Sequence, residues 1–463
     1  MLKNGEIVPA NIFRAYDIRG IVNEELTPEI LVLIGKAIGS LVKEQGEHQI
    51  ALARDGRESG QYLLPSLCQG LISTGCDVID LGMVPTPLLY YATNIFEQHS
   101  GVMLTGSHNP PAYNGVKTVI RGASLSEQAL QDLYHRIRAN RFQIGDGAVF
   151  SMEISDRYIN HIAHHIKLKR PLKLVIDAGN GITSCLAPKL FRALGCEVHE
   201  LYCEIDGSFP NHDPDPSQPE NLRDLAKLVT DTQADLGLAF DGDGDRIGVV
   251  TNEGEIIYSD RLLIIFALDL LIKFPEATII YDVKCTQHLE TMIKKYNGKP
   301  IMWKTGHSLI KAKLAETKAK LAGEMSGHFF FNDRWYGFDD ALYAGARLLE
   351  ILANQNESAA ALFSKIPNSV NTPELKIPIN EAEKFDLVQQ LIERADFRDA
   401  LNFSIIDGIR VQFNDGWGLL RPSNTTPYLI LRFEAVNEMI LKKIQTLFKT
   451  WLLSVKADLK LPF

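Results

Sequence analysis

The stretch QIALARDGRESG at residues 49–60 decides the fold, because a short apolar run passes directly into a polar loop that contains glycine. A helical pattern of leucines from Leu63 to Leu71 follows, and further apolar runs come at 76–81 and 101–104. Short apolar runs that alternate with a helical repeat predict strands and helices in alternation. The sequence therefore predicts an α/β unit with a parallel sheet.

The same pattern opens twice more, at LKLVIDAGNG (172–181) and at ATIIYDVKC (277–285). Each of the three units also has a later apolar strand that runs into a loop of small and polar residues: TGSHNP at 105–110, DGDGDR at 241–246 and GEMSGH at 323–328. Ligands of parallel sheets bind beyond the carboxyl ends of the strands. We therefore expect the three loops to line one cleft.

The last hundred residues have a different sequence pattern. The segment KIPNSVNTPE at 365–374 reads as a linker, and IRVQF at 409–413 and YLILRF at 428–433 alternate apolar and polar residues as strands do. We predict three similar α/β domains with mixed, mainly parallel sheets and a C-terminal α+β domain around a central cleft. The predicted limits are 1–152, 153–255, 256–368 and 369–463.

Charge and composition exclude several classes of protein. The 463 residues carry a formal net charge of -9, which argues against nonspecific nucleic-acid binding, since that binding depends on many basic side chains. The longest apolar run, Leu262 to Ile272, is interrupted by Asp269 and is about half the ~20 residues that a membrane span needs. We expect no nucleic-acid partner and no membrane span.

The cysteines and the N-terminus indicate the compartment. Six cysteines are scattered without a CxxC pair, which suggests neither a zinc site nor a disulfide framework. The N-terminal residues MLKNGEIVPANIF lack a basic stretch followed by an apolar segment, so no secretory signal is visible. We expect a cytoplasmic protein with reduced thiols.

The loop at 241–246 places Asp241, Asp243 and Asp245 alternately with glycines. Three carboxylates that turn towards one point suit a hard cation, and Mg²⁺ is held by a few carboxylates together with phosphate or water oxygens. The alternative is a solvated acidic turn. Arg246, directly after the triplet, suits a phosphate near the metal, although it is also explained as a charge partner of the aspartates.

Ser107 follows an apolar strand, so its hydroxyl is expected to project from the rim of a sheet into the cleft. A serine needs a base or a cation to become a nucleophile, and His108 and Lys117 are the candidates for that role. An ordinary Ser/Asn turn is the alternative for TGSHNP.

A further group of side chains, in the last domain, suits a phosphate. Arg421 ends one strand, and Ser423, Asn424, Thr425 and Thr426 fill the hairpin loop after it, which is the donor set that a phosphate requires. The alternative is a polar hairpin tip.

Side chains suited to sugar hydroxyls are found in the third unit. Glu324, Ser326 and His328 offer donors and acceptors, and His307 can join them. Either histidine is also explained as a structural hydrogen-bond partner.

The motifs TGSHNP, DGDGDR, GEMSGH and RPSNTTP, in this order and spacing, resemble the four active-site loops of the α-D-phosphohexomutase superfamily. The resemblance extends from YDIRG at 16–20 to the last domain. Within the superfamily, the chain is most similar to the bacterial phosphomannomutase/phosphoglucomutase branch. Phosphoglucosamine mutases typically show an R-x-S-G-T loop and GEQSGH, whereas this chain has RPSNTTP and GEMSGH.

The resemblance implies a role for each matching residue. Ser107 carries the phosphoryl group, and Asp241, Asp243 and Asp245 hold Mg²⁺ together with a phosphoserine oxygen. The transfer site is lined by Tyr16, Arg19, Lys117, Arg246 and Lys284. The sugar is read by His307, Glu324, Ser326 and His328, while its distal phosphate is held by Arg421, Ser423, Asn424 and Thr425.

The expected reaction is reversible transfer of a phosphoryl group between C1 and C6 of mannose and glucose phosphates. It proceeds through phospho-Ser107 and a hexose 1,6-bisphosphate, which is both intermediate and activator, and we expect the enzyme to act as a monomer. Three alternatives stay open at this point: a phosphoglucosamine mutase, a serine phosphatase and an inactive sugar-phosphate sensor. A phosphatase usually needs a second metal, yet only one acidic cluster is evident.

Overall fold

Residues 8–424 and 426–463 are described by the structure, a computed structural model. The first sheet has seven strands in the order β1-β5-β4-β2-β3-β7, with β6 paired to β5. The strands are β1 Ile18–Ile21, β2 Gln49–Arg54, β3 Asp77–Met83, β4 Gly101–Leu104, β5 Tyr113–Ile120, β6 Ala123–Ser124 and β7 Val149–Ser151. The α-helices are α1 Pro28–Glu44, α2 Gly60–Ile72, α3 Thr86–Ile95 and α4 Gln128–Arg138, after a 3₁₀ turn at Ala10–Ile12.

The second sheet has five strands in the order β12-β11-β10-β8-β9. They are β8 Lys173–Asp177, β9 Glu197–Leu201, β10 Leu236–Phe240, β11 Ile247–Thr251 and β12 Ile256–Ile257. The helices are α5 Ser155–His165, α6 Ala187–Ala193 and α7 Arg223–Thr232, with 3₁₀ turns at Ile182–Cys185 and Pro219–Leu222.

The third sheet has four strands in the order β14-β13-β15-β16. They are β13 Thr278–Asp282, β14 Lys299–Trp303, β15 Leu321–Gly323 and β16 Phe329–Phe331. The helices are α8 Ser259–Lys273, α9 His288–Lys295, α10 His307–Thr317, α11 Ala341–Ala353 and α12 Ala359–Ser364. The apolar run from Leu262 lies in α8 and is buried as far as Ala267, whereas Ile272 is 78% exposed.

The fourth sheet is built from hairpins, with antiparallel pairing throughout. Its strands are β17 Val370–Asn371, β18 Leu375–Pro378, β19 Asn402–Ser404, β20 Ile409–Phe413, β21 Gly416–Pro422 and β22 Tyr428–Ala435, and its helices are α13 Lys384–Glu393 and α14 Glu438–Val455. The predicted fold class, three α/β domains and a C-terminal α+β domain, is confirmed. The exact domain limits stay predictions.

The first three sheets share one arrangement of four strands. Three strands run parallel, and the last of them returns as an antiparallel neighbour: β4 into β5, β10 into β11 and β15 into β16. The loops at 105–110, 241–246 and 324–328 occupy this same connection in each sheet. The expectation that three equivalent strand ends supply the three motifs is therefore confirmed.

Buried apolar side chains divide the molecule in a different way from the sheets. One continuous core joins the first three units, and it includes Tyr91, Phe191 and Phe266. The fourth unit has a separate core around Phe448 and Trp451. None of the described helices combines the length and the apolar character that crossing a membrane requires. The first three units thus share a core, the first unit has a further core of its own, and the fourth unit contacts the third through a small cluster of Val283, Trp417 and Leu419.

Candidate active site

A single cleft collects the loops of all four units. Ser107 and Arg246 line it from the first and second units, His328 from the third and Arg421 from the fourth. The other predicted residues that line this cleft are Tyr16, Arg19, His108, Lys117, Lys284, His307, Glu324, Ser326, Ser423 and Asn424. The structure thus brings together residues that are up to four hundred positions apart. Thr425 lies outside the described residues.

Ser107 lies on the floor of the cleft in a conformation that few non-glycine residues adopt. Its φ of 49° is in the left-handed region, and its side chain is buried. The Oγ donates a hydrogen bond to Asp241 Oδ2 at 2.9 Å and lies 3.2 Å from Nδ1 of His108. The serine hydroxyl of the first unit therefore meets the acidic loop of the second.

The acidic loop is shaped by its own backbone. Asp241 Oδ1 accepts hydrogen bonds from the N–H groups of Gly244, Asp245 and Arg246 at 2.9 to 3.1 Å, which closes the loop tightly. Gly244 has a φ of 79°, and a Cβ at Gly242 would lie 2.4 Å from the carbonyl oxygen of Ser107. The glycines thus permit the curvature of this loop and its contact with the serine loop.

The three aspartates meet the requirements of a cation site. Asp241, Asp243 and Asp245 are fully buried, and their nearest carboxylate oxygens lie within 4.8 Å of one another. Asp243 Oδ1 is buried without a hydrogen-bond partner among the described residues. A buried carboxylate oxygen without a partner is costly in a protein interior unless a cation neutralises it. The donor set, which is entirely oxygen, suits a hard divalent ion.

Lys117 Nζ contacts the same carboxylates, Asp243 Oδ2 at 2.6 Å and Asp245 Oδ2 at 2.5 Å. Burial disfavours its charged form, but Asp243 and Asp245 outweigh burial, so the pKa of Lys117 is raised. Burial, followed by the positive charge of Arg246, lowers the pKa of His108 well below its usual value. The two candidates for proton transfer thus differ in charge: a protonated ammonium and a neutral imidazole.

The loop GEMSGH of the third unit is tied to the acidic loop. Glu324 Oε1 accepts from the N–H of Gly306 at 2.6 Å, and Oε2 lies 2.9 Å from His328 Nδ1. His328 Nε2 lies 3.2 Å from Asp245 Oδ1. Burial opposes protonation of His328, but Asp245 more than compensates, and its pKa is raised to about 9. The charges of Asp245 and Glu324 thus favour the protonated form of His328.

Ser326 and His307, the other two residues of the third unit that the sequence predicts to bind the sugar, lie beside His328. Ser326 Oγ is 3.0 Å from His328 Nδ1. Nδ1 of His307 lies 3.3 Å from Asp339 Oδ2, while burial and then the charge of Lys311 lower the pKa of His307. The two histidines, Ser326 and Glu324 therefore give the cleft both donors and acceptors for hydroxyl groups.

The loop of the fourth unit forms the opposite end of the cleft. Arg421 Nε donates to Asp407 Oδ2 at 2.8 Å, which fixes the guanidinium at the end of β21. Asn424 Nδ2 donates to the hydroxyl of Tyr16, and that hydroxyl donates to the carbonyl of Thr305 at 2.6 Å. Tyr16 thus joins the first, third and fourth units across the cleft.

Two basic residues of the predicted transfer site have acidic or amide partners that sequence reasoning missed. Arg19 Nη1 donates to Asn109 Oδ1 at 2.6 Å, and Lys284 Nζ donates to Glu374 Oε1 at 2.5 Å. Asn109 belongs to the motif TGSHNP, so its amide could have been predicted from the sequence as a hydrogen-bond partner in the site. Glu374 lies in the segment that reads as a linker, where nothing in the sequence marks it.

Comparison with known proteins covers nearly the whole chain. The family models described as "Phosphoglucomutase/phosphomannomutase, alpha/beta/alpha domain" I, II and III match residues 10–144, 156–254 and 258–370. The model of the C-terminal domain of the same family matches residues 374–449. The four matches follow one another in the order of the four sheets.

Relatives and solved structures agree with these matches. A phosphomannomutase/phosphoglucomutase of Pseudomonas putida is 53% identical over 456 residues, which cover 98% of each sequence. A phosphoglucomutase of Neisseria meningitidis is 49% identical over 445 residues, 96% of each sequence. A phosphoglucomutase/phosphomannomutase family protein from Burkholderia thailandensis has a crystal structure that superposes with a TM-score of 0.94 at 50% identity, covering 98% of this chain and 100% of that one. The chain belongs to the phosphoglucomutase/phosphomannomutase family.

Proposed function

We propose that the chain is a phosphomannomutase/phosphoglucomutase that moves a phosphoryl group between C1 and C6 of hexose phosphates through phospho-Ser107. The observation that carries the proposal is the contact of Ser107 with Asp241, buried on the floor of a cleft whose opposite end is the loop of Arg421. The relatives from Pseudomonas putida and Neisseria meningitidis bear the names of mutases for these sugars.

The chemistry begins at the serine. When phospho-Ser107 donates, the bond between its Oγ and phosphorus breaks as a new bond forms between phosphorus and the free hydroxyl oxygen of a hexose monophosphate. The hydroxyl proton leaves the sugar, and Ser107 Oγ is protonated as it departs. We propose that His108 and Lys117 move these protons, because His108 lies 3.2 Å from Oγ and Lys117 contacts the carboxylates beneath it.

Basic side chains around the serine stabilise the transferring group. Arg19, Lys117 and Arg246 line the same part of the cleft, where charge spreads over the phosphoryl oxygens in the transition state. Fixed charges in a site that excludes water usually make the largest contribution of the protein to such reactions.

The metal of this family fits the acidic triplet. Asp241, Asp243 and Asp245 would hold it together with an oxygen of phospho-Ser107, and we propose Mg²⁺ because every ligand is a hard oxygen. When bound, the ion neutralises charge on the phosphoryl oxygens.

The opposite end of the cleft holds the sugar and its second phosphate. We propose that His307, Glu324, Ser326 and His328 bind the sugar hydroxyls. We further propose that the distal phosphate is held by Arg421, Ser423, Asn424 and Thr425. Binding energy from a group that does not react fixes the reacting hydroxyl in line with phosphorus.

The reaction needs the sugar to present both of its ends to the same serine. After the first transfer the ligand is a hexose 1,6-bisphosphate, which turns over in the cleft so that its other phosphate returns to Ser107. We propose that the same bisphosphate, supplied in trace amounts, activates the unphosphorylated enzyme. We also propose that the enzyme acts as a monomer in the cytoplasm, where its six free thiols stay reduced.

A parallel assay tests the proposed function. Purified protein is given Mg²⁺, a trace of glucose 1,6-bisphosphate and, in separate reactions, glucose 1-phosphate, mannose 1-phosphate and glucosamine 1-phosphate. Ser107→Ala is the matched control. We expect rapid conversion of the first two sugars to 6-phosphates by the wild type and none by the variant.

Other outcomes separate the remaining alternatives. Turnover of glucosamine 1-phosphate alone would keep the phosphoserine chemistry and contradict the substrate assignment. Release of inorganic phosphate without isomerisation would indicate a phosphatase. An inert protein whose Ser107 takes up no phosphate would leave a sugar-phosphate sensor.

A further inference from the structure

The serine loop is held from behind by Arg57, a residue that neither lines the cleft nor belongs to any of the four motifs. Arg57 follows β2, and only 1% of its surface is exposed. We propose that Arg57 is a positioning residue that holds Ser107 in the geometry required for phosphoryl transfer. This inference rests on the proposed function, since it gives Ser107 the role of nucleophile.

All four terminal N–H groups of the guanidinium are directed at backbone carbonyls, three in the serine loop at 105–110 and one at Tyr113, where β5 begins. Nη2 donates to the carbonyl of Ser107 at 2.7 Å and to that of Asn109 at 2.5 Å. Nη1 donates to the carbonyls of Pro110 at 2.8 Å and Tyr113 at 3.0 Å. Hydrogen bonds from a charged donor are about twice as strong as neutral ones. One side chain therefore fixes the course of the loop from the nucleophile onward.

A second set of bonds fixes the start of the loop. Asp55 Oδ2 accepts from the Thr105 hydroxyl at 2.7 Å and from the N–H of Gly106 at 3.2 Å, and it lies 3.3 Å from Arg57 Nε. The N–H of Ser107 in turn donates to Thr105 Oγ1 at 2.8 Å. Asp55, Thr105 and Arg57 thus hold the N–H and the C=O of Ser107 from two directions.

The conformation that these bonds hold needs support. Ser107 has a φ of 49°, and a non-glycine residue persists in that region only where its surroundings enforce the conformation. A Cβ at Gly106 would lie 2.4 Å from Arg57 Nε, so the guanidinium and the loop are in close contact. The strain at the nucleophile and the arginine behind it therefore belong to one arrangement.

Arg57 also ties this arrangement to the second unit. Its guanidinium lies 5.0 Å from the ring centroid of Phe209, and a Cβ at Gly207 would lie 2.9 Å from its Cα. The carbonyl of Ser107, which Arg57 binds, is also the atom that approaches Gly242 in the acidic loop. Arg57 thus sets the position of the serine relative to the aspartates.

Arg347 offers a matched control. It is also 1% exposed, it stacks on an aromatic ring at 4.5 Å from Phe331, and it binds Asp333 at 2.8 Å, but it does not line the cleft. Lysine at either position keeps a positive charge but loses the planar fork of donors. Loss of stability is common to both variants, whereas misplacement of Ser107 is expected only from Arg57→Lys.

The experiment uses the full-length protein as wild type, Ser107→Ala, Arg57→Lys and Arg347→Lys. The first measurement is the rate at which glucose 1,6-bisphosphate phosphorylates Ser107, followed by intact mass. The second is kcat and KM for glucose 1-phosphate. We expect Arg57→Lys to lower both the phosphorylation rate and kcat roughly 100-fold, as misplacement by about 1 Å does, and to leave KM within about threefold. Arg347→Lys should keep wild-type kcat per folded molecule.

Two results would overturn the inference: wild-type kcat in folded Arg57→Lys, or a raised KM with kcat unchanged. If Arg57→Lys does not fold, Thr105→Val decides, because it removes only the hydroxyl between Asp55 and Ser107. We expect about a tenfold lower kcat for it, and an unchanged kcat would contradict the proposal. A wild type that phosphorylates Ser107 but makes no 6-phosphate would refute the mutase function alone, and the phosphorylation rates would still decide the role of Arg57.

Discussion

The serine loop at 105–110 and the phosphate loop at 422–427 form the two ends of one cleft, but the rest of the chain holds them differently. The serine loop is buried, Arg57 and Asp55 bind its backbone, and it packs on the acidic loop. The phosphate loop is a hairpin tip in a unit with its own core, and it reaches the other units through Tyr16. Buried hydrogen bonds to the backbone are thus concentrated at the end of the cleft where the proposed reaction breaks bonds.

The proposed reaction explains this difference. The serine must meet phosphorus in line in both half-reactions, and small errors in that alignment are costly. The opposite loop has to hold a phosphate attached first to one end of the sugar and then to the other. A hairpin on a unit whose main core is separate from the core that joins the other three suits that task. The following predictions test this division, in order of expected effect.

The largest effect is expected from Asp243→Asn, which acts at the rigid end. The variant loses one carboxylate of the acidic triplet and leaves Lys117 with fewer partners. We expect kcat to fall by about 10²- to 10³-fold, as when one preorganised electrostatic group is removed, with a smaller change in KM. The measurement is the mutase rate over a series of Mg²⁺ concentrations. Asp333→Asn, which removes a carboxylate that pairs with Arg347, is the control. Activity of Asp243→Asn within tenfold of the wild type would contradict the metal assignment.

A smaller effect, with a different kinetic form, is expected from Arg421→Ala. Loss of the guanidinium removes about 2–3 kcal/mol of charge-assisted binding, or roughly 30- to 150-fold in kcat/KM. The loss should be equal for glucose 1-phosphate and mannose 1-phosphate, because the phosphate is common to both. The two values of kcat/KM, with exposed Lys443→Ala from the same unit as control, give the test. Very different losses for the two sugars would show that Arg421 reads the sugar.

The contact between Asn424 and Tyr16 is expected to contribute less. It is a hydrogen bond between neutral groups that closes the fourth unit onto the first, and such bonds contribute about 1 kcal/mol. Asn424→Ala and Tyr16→Phe should each lower kcat/KM about fivefold, and the double variant should be little worse than either. The four enzymes of this double-mutant cycle measure the coupling. Fully additive losses would mean that the two side chains act separately.

Local patterns predicted much of this molecule. The glycine spacing of DGDGDR and the strand that precedes TGSHNP marked both loops, because the features that shape them lie within a few residues. The four-unit fold followed from three repeats of one strand and loop pattern and from the alternation at 409–413. The roles of the individual site residues, and the domain limits, stay predictions that the experiments above address.

Contacts between distant residues were beyond these patterns. Arg57 is 50 positions from Ser107, and Glu374 is 90 positions from Lys284. Neither pair is marked by a periodic pattern or a motif in the sequence, because only the folded chain brings the partners together. Glu374 lies in a segment whose proline and asparagines indicate a linker. The sequence therefore offered no reason to expect its ion pair with Lys284, which joins the third and fourth units.

The smallest expected effect concerns that contact. Burial opposes ionisation of Glu374, but Lys284 outweighs it and lowers the pKa of Glu374 to about 2. A carboxylate with a lowered pKa stabilises the folded state above its unfolded pKa of about 4.3, and this contribution is lost as the pH falls towards 2. Because the side chain is 32% exposed, solvent screening reduces the effect to about 1 kcal/mol between pH 5.5 and 3.5.

Glu374→Gln removes the titrating group, so its stability should fall less than that of the wild type over the same range of pH. The measurement is the thermal midpoint of both proteins at pH 5.5 and at pH 3.5, where the wild type should lose about 1 °C more. Glu393→Gln, in α13 of the same unit, controls for the loss of a carboxylate that pairs with no lysine or arginine among the described residues. Equal losses for wild type and Glu374→Gln would mean that this ion pair does not fasten the fourth unit. The attachment of the fourth unit to the third would then depend on the apolar contacts between Val283 and Trp417. It would also depend on Arg410 and Arg432, which donate to the backbone carbonyls of Val283 and Lys284.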